Sequence, residues 1–278
     1  MLAAPAVGLN RVFCAPNVGG RESDASYPAW EYRWGQEVVR EYLEPAGDLK
    51  GKSVLDVGCG LGDKTAAYAE GDVAMVPDTD SELRDVRASC VWARDHAPAV
   101  ARSFFAGDAS ALPVADGVFD TVVANDAMEH FNRPERALRE MARAVKPGGA
   151  IWIFFTPHFS PLGSHLYDYI HAPWCHLVFR RQTLERAVAR VLVTRESDMA
   201  QQDARLVAAH IMARYDTARN HMSVRWFERI CRAVPGLKVV YRELCPARYR
   251  ILTPLTHVPG IREIISGFVV CRLRRTVS

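Results

Sequence analysis

Seven consecutive residues, Asp56-Val57-Gly58-Cys59-Gly60-Leu61-Gly62, combine a carboxylate with three closely spaced glycines. Glycine tolerates positive φ and has no Cβ, so backbone N–H groups in such a run can approach a ligand closely. The helix expected to follow adds partial positive charge at its start, and Asp56 suits a ligand carrying an ammonium group. A dinucleotide fingerprint requires Gly-x-Gly-x-x-Gly; here the third glycine comes two residues after the second, not three. Asp63 would repel a pyrophosphate but not a zwitterionic amino-acid tail. Two further carboxylates follow. Asp78, beside Thr79, is expected at the tip of a second strand, where it can accept hydrogen bonds from both hydroxyls of a ribose. Asp80 is the alternative, and Pro77 is unusual so near a strand. Asp108, in Gly107-Asp108-Ala109, can accept an adenine amino N–H, or it can simply cap a helix or close an Asx-turn.

A second set of chemistry-bearing residues lies further on. Four of the nine histidines, His158, His165, His171 and His176, fall within nineteen residues, interleaved with Tyr167, Tyr169 and Trp174. Three readings compete. In the first, His158, His165 or His176 is a general base for a hydroxyl nucleophile, with Tyr167 or Tyr169 orienting the acceptor. In the second the histidines hold a metal, but spacings of seven, six and five match no usual zinc pattern. In the third they pack and hydrogen-bond locally. His130, in Glu129-His130-Phe131, ranks below these.

These residues need a scaffold, and the hydrophobic pattern supplies one. Short apolar runs over 53–57, 73–76, 101–106, 119–124 and 150–155 read as strands. Between them 63–70, 81–95 and 134–145 read as helices, with Pro134 placed at a first turn and Lys146-Pro-Gly-Gly149 as a stop. Such alternation implies a parallel sheet covered on both faces. Residues 29–43 have helical periodicity, and Trp30, Tyr32 and Trp34 on it can lie over a cationic ligand. After Thr156 the rhythm breaks. A loop rich in Pro, His and aromatics leads to helical patterns near 181–193 and 199–219. Residues 224–233 then read as a helix, and 238–243 and 267–273 as strands. Four regions result: an N-terminal extension and lid helix (1–49), a Rossmann-like core (50–156), a cap insertion (157–221) and a completion of the core sheet (222–278).

The 278 residues are 49% hydrophobic, enough for a full core. No run approaches the ~20 apolar residues of a membrane span, and the first ten residues lack a basic n-region. Seven scattered cysteines without Cys-x-x-Cys argue against a disulfide framework or zinc ribbon, so a cytoplasmic setting is expected. The net charge of +3 hides an asymmetry, −8 over 1–179 and +11 over 180–278. The basic part can attract an anionic acceptor, with Arg180, Arg181, Arg219 and Arg225 as clamp candidates. The basic residues are dispersed, and no aromatic-interleaved nucleic-acid motif occurs.

The ordered set Val54-Leu-Asp-Val-Gly-Cys-Gly-Leu-Gly62, Gly107-Asp-Ala109, Leu112-Pro113, Phe119-Asp120, Glu129-His130 and Leu138-Arg-Glu-Met-Ala-Arg-Ala-Val-Lys-Pro-Gly-Gly149 resembles the small-molecule branch of the class I S-adenosylmethionine-dependent methyltransferases. The resemblance implies a doubly wound α/β fold with a mostly parallel sheet of order 3-2-1-4-5-7-6, here with a helical cap after the fifth strand. It implies S-adenosyl-L-methionine as cofactor and S-adenosyl-L-homocysteine as product. Asp56 and Gly58 would serve the methionine end, Asp78 the ribose, and Asp108 and Ala109 the adenine. Asn125 would border the methionine and the methyl group, and Cys59, Gly60, Thr79 and Trp34 are further cofactor-binding candidates. The expected activity is methylation of a hydroxyl or carboxylate of a small or medium-sized metabolite, by a monomer or homodimer with no nucleic-acid or membrane partner. The catalytic candidates are His165, His158, His176 and Tyr169, with no metal. The alternatives are N- or C-methylation, a non-catalytic cofactor-binding protein, and non-methyl chemistry on the same fold. An Asn/Asp-Pro-Pro-Tyr motif for flipped bases is missing, since Asn125-Asp-Ala-Met128 stands at that strand end.

Overall fold

The computed structural model describes residues 27–60, 62–71, 73, 78–80, 104–195, 199–247 and 250–277. The helix expected over 81–95, and Leu61 and Pro77, lie outside these. The chain divides into two compact units, and each is described by itself.

The first unit spans Gly20–Phe155, Trp226–Glu243 and Val270–Ser278. Helix α1 (Tyr27–Val38) continues into a π-helical turn, Val39–Leu43. Strand β1 (Val54–Val57) is buried along its whole length, as expected of a strand covered on both faces. Helix α2 (Asp63–Ala69) follows. Gly35 of α1 lies so close to α2 that a Cβ there would sit 2.8 Å from the Ala67 Cβ. Strands β2 (Asp78–Asp80), β3 (Phe104–Ala106) and β4 (Phe119–Asn125) come next. After a 3-10 turn at Met128–His130, helix α3 (Pro134–Ala144) has Pro134 in its first turn.

Helix α3 stops at Ala144, as the Lys146-Pro-Gly-Gly149 run implies, but strand β5 (Val145–Phe155) starts earlier than the expected residue 150, because it runs through that motif. Phe119 pairs with Val145 and Thr121 with Ala150, so residues 146–149 bulge out of an otherwise continuous ladder. Gly149 is required there, since a Cβ would lie 2.7 Å from the Asp120 carbonyl oxygen. Strand β2 corrects a second expectation. Asp78 pairs with both Asp56 and Phe104, and the ladder continues to Asp80. Asp80, not Asp78, therefore closes the strand.

Strands β1 to β5 are joined by parallel pairings. Helix α7 (Val224–Ala233) and strands β6 (Leu237–Pro246) and β7 (Ser266–Arg275) follow the second unit's helices in the chain. The full sheet runs β3-β2-β1-β4-β5-β7-β6.

The second unit includes Thr156–Arg225 and Leu244–Val269. It holds the short helix α4 (Cys175–Val178), the long helices α5 (Arg181–Arg195) and α6 (Gln201–Thr217), a 3-10 segment over Arg250–His257 and helix α8 (Ile261–Ile265). Its core is built from Leu166, Ile170 and Cys175 packed with Leu184 and Val188 of α5 and Ala204, Ala208 and Met212 of α6. The alanines of α6 let the two helices approach closely. No described helix is long and apolar enough to cross a membrane.

Candidate functional site

The glycine run folds as its composition dictates. Gly58, Gly60 and Gly62 all have positive φ, at 82°, 58° and 78°, a region costly for residues with a Cβ. They differ in surroundings. A Cβ on Gly58 would lie 2.6 Å from the Ala127 Cβ, whereas one on Gly60 would meet nothing within 4 Å. The loop is thus clamped at Gly58 and open at Gly60. Cys59 is buried between them.

Buried polar contacts hold the walls around this loop. Asp56 accepts a hydrogen bond from Thr65 Oγ1 at 2.7 Å, which ties the end of β1 to α2. Asn125, at the end of β4, is buried. Its Oδ1 accepts from the Trp34 indole at 3.3 Å and its Nδ2 donates to the Tyr68 hydroxyl at 3.0 Å. Burial, and then the Asp56 carboxylate, push the Tyr68 phenol well up, so it stays protonated. Lys64 is buried and paired with Glu31 of α1 and with Asp126, the latter at 3.5 Å. Trp34 is therefore brought to Asn125 by a helix fastened at Gly35 and Glu31. These fastenings were not legible in advance, because Glu31, Lys64 and Tyr68 carry no motif.

The second loop, Gly107 to Val118, is organised by α3. Asp108 accepts from the Ser110 amide and hydroxyl, both at 2.8 Å. This is the Asx-turn geometry. The two Ser110 bonds hold its carboxyl below the usual range, and Arg133 and Arg136 add to the effect. Asp108 is exposed, and a carboxylate has lone pairs beyond the two that Ser110 takes, so the turn does not preclude a ligand contact. Arg143 donates to the carbonyls of Leu112 and Val114, and Glu140 accepts from the Leu112 amide. Two members of one sequence motif thus brace another. Asp78 and Thr79 lie on β2 beside Asp56 and Val57, and Ala109 is buried next to Asp108.

S-adenosylmethionine brings a zwitterionic tail, a ribose and an adenine. The loop open at Gly60 and the buried carboxylate of Asp56 fit the first part, the exposed Asp108 fits the last, and strand β2 runs beside Asp56.

The second unit gathers three histidines. His158 is flanked by His176 and His221, with ring centroids at 5.1 and 4.5 Å. His176 Nε2 lies 2.6 Å from the His158 carbonyl oxygen. A carbonyl only accepts, so that nitrogen carries the proton and cannot act as a base. His221 Nδ1 lies 3.4 Å from His158 Nε2. Burial, with His176, His221 and Arg219 nearby, pushes the His158 imidazole down to about 4. Burial likewise lowers His176. His221 was missed from sequence because 45 residues separate it from the histidine-rich run.

The other candidates have different surroundings. His165, with φ 51°, lies beside Tyr167, ring centroids 6.3 Å apart. Tyr169 packs on the apolar core under Arg195, 5.8 Å from its guanidinium. Arg181 is taken up by Glu185 and Asp216. Arg219 bonds the Gly163 carbonyl and stacks on Tyr215 at 4.1 Å. Among the described residues no group of three His, Cys, Asp or Glu is placed to hold a metal ion.

Comparison with known proteins bears on the first unit. Residues 55–153 match the family model described as a methyltransferase domain. The demethylmenaquinone methyltransferase of Renibacterium salmoninarum is 34% identical over 140 residues, 50% of this chain and 54% of its own length. The ubiquinone/menaquinone biosynthesis C-methyltransferase of Yersinia enterocolitica is 32% identical over 133 residues, 45% of this chain and 51% of its own. The chain thus spans about half the length of the curated relatives it matches. In fold, the S-adenosylmethionine-dependent methyltransferase of Thermotoga maritima superposes with a TM-score of 0.50 at 17% identity, covering 90% of this chain and 94% of its own. Residues 55–153 thus match a methyltransferase domain, and the chain shares its fold with the Thermotoga protein.

Proposed function

We propose that the chain transfers a methyl group from S-adenosylmethionine to an oxygen of a small or medium-sized acceptor, a hydroxyl or a carboxylate, and releases S-adenosylhomocysteine. The observation that carries the reading is the cradle of left-handed glycines between buried Asp56 and a doubly anchored Asn125. The bound cofactor supplies an electrophilic methyl carbon on a sulfonium. Asp56, Gly58, Cys59 and Gly60 receive the methionine end, Asp78 with Thr79 the ribose, and Asp108 with Ala109 the adenine. Asn125 and Trp34 border the methyl group. Holding a nucleophile in line with that carbon accounts for much of the rate in such displacements.

The histidine cluster supports oxygen as the nucleophile. An imidazole depressed to about 4 is unprotonated throughout the physiological range and so can accept a hydroxyl proton, but the same depression makes it a weak base. His158 takes that role in this reading. His176 fixes the loop that carries it, and His221 stands where it can share the proton. A carboxylate acceptor would need no base and would meet the positive charge of Arg219. The four-region division belongs to the same reading, with 157–221 building the acceptor pocket.

Carbon methylation is the second reading, favoured by the names of the Renibacterium and Yersinia relatives. Isothermal titration with S-adenosylmethionine and S-adenosylhomocysteine tests the cofactor, and no heat with either would sink the whole reading. Asp78→Ala should weaken that binding, and an unchanged affinity would move the ribose role to Asp80. Transfer of a carbon-13 methyl, followed by NMR of the product, separates an O-methyl from a C-methyl by chemical shift.

A further inference from the structure

Helix α3 opens with three arginines at three-residue intervals, Arg133, Arg136 and Arg139, which places them along one flank of the helix. Helix α7 presents Trp226 and Ile230, one turn apart. With Pro134 and Glu135 these residues line an open groove of about 340 Å³, a size that small-molecule sites commonly have.

The charges in the groove are unbalanced. Arg139 is paired with Glu135. Arg133 and Arg136 are exposed, and neither forms a hydrogen bond or ion pair through its side chain among the described residues. The helix start adds to this. Arg133 gives no side-chain cap, Pro134 has no N–H, and the next two amides precede the first intrahelical bond, made by the Ala137 amide to the Arg133 carbonyl. The groove therefore offers two uncommitted guanidiniums and the positive end of a helix on one side, and an indole and an aliphatic side chain on the other. S-adenosylmethionine does not suit it, since its sulfonium and ammonium outnumber its one carboxylate.

We propose that this groove binds a phosphomonoester carrying a planar or apolar group. A phosphomonoester has close to two negative charges at neutral pH, which matches the two uncommitted arginines. Guanidinium forks bind its oxygens in pairs. Trp226 and Ile230 cover the organic part, for which an indole face is a stacking platform. Because Arg133 and Arg136 also act on Asp108, an anion seated here changes the field at the loop assigned to adenine.

The test is isothermal titration of the full chain with phenyl phosphate at constant ionic strength, with and without saturating S-adenosylhomocysteine. Inorganic phosphate and phenol are the comparison ligands. One saturable site is expected, at least tenfold tighter for phenyl phosphate than for either comparison ligand and not displaced by S-adenosylhomocysteine. The double variant Arg133→Gln/Arg136→Gln, altered only at exposed positions, should lose at least tenfold. Trp226→Leu should erase the preference for phenyl phosphate over inorganic phosphate. The proposal is overturned by no saturable heat, by displacement with S-adenosylhomocysteine, or by undiminished affinity in the double variant. The arm without S-adenosylhomocysteine stands even if the chain binds no such cofactor.

Discussion

The two units solve the same backbone problem with different residues. Around the glycine loop the left-handed positions are Gly58, Gly60 and Gly62, where that conformation costs little. In the histidine-bearing unit, besides Gly260, they include His165, Trp174 and His221, where each costs roughly 1–2 kcal/mol. Asp126 is the exception in the first unit, and its carboxylate is paired with Lys64. A cofactor shared across a large family is met by backbone, and glycine is the cheapest way to expose it. An acceptor particular to one enzyme must be met by side chains, and side chains at strained positions are tolerated where function holds them.

The largest test of this contrast is His158→Gln. Loss of a general base should lower kcat by about 10²–10⁴-fold and leave S-adenosylmethionine binding unchanged in titration. A kcat within threefold of the parent would instead mark the acceptor as a carboxylate or a carbon nucleophile. Next come two glycines, one from each unit. Gly58→Ala adds a Cβ 2.6 Å from that of Ala127 at positive φ, which should cost about 2–5 kcal/mol in urea unfolding and abolish cofactor binding. Gly163→Ala places a Cβ 2.1 Å from the His158 carbonyl oxygen. It should cost about 1–3 kcal/mol and depress turnover while cofactor affinity survives. If both variants lose cofactor affinity equally, the division of labour between the units fails.

The pH response is smaller. The folded His158 is depressed from 6.5 to about 4, so between those values the unfolded chain binds a proton that the native chain does not. Its contribution to stability is complete above pH 6.5 and declines as pH falls towards 4. Urea midpoints at pH 7 and pH 4.5 should therefore converge in His158→Gln relative to the parent. The smallest effect, of opposite sign, is expected from His221→Gly. Relief of the left-handed strain at φ 58° should raise stability by about 1 kcal/mol while lowering turnover. A destabilised variant would show that the contact with His158 outweighs the strain.

The legibility of the sequence follows the same division. β1, β4 and α3 were readable because an apolar run, a proline at a first helical position and a glycine loop are local signals. The strand expected over 73–76 lies almost wholly outside the described residues, and Asp78-Thr-Asp80 carries no apolar pattern, so its partners in β1 and β3 are what mark it as a strand. The Lys146-Pro-Gly-Gly149 run marks the end of α3 as proline and glycine usually do, but it hides the start of β5, because a bulge against Phe119 and Thr121 absorbs it into the strand. His158 and His176 were named among several histidines, but His221, which completes their cluster, depends on a tertiary approach that no spacing encodes. The ties from Arg143 and Glu140 to the Asp108 loop were hidden inside a motif that reads as ordinary helix.

The hydrogen bond from the Trp34 indole to Asn125 has an optical consequence. Indole emission shifts with the polarity and hydrogen bonding of its surroundings, and this indole is tethered to the residue assigned to the methyl group. On the proposed assignment the molecule carries an intrinsic fluorophore beside the methyl group. Arrival and departure of the cofactor should be visible in stopped flow without any added label, and Trp34→Phe, which keeps the other five tryptophans, would show how much of the signal is Trp34's own.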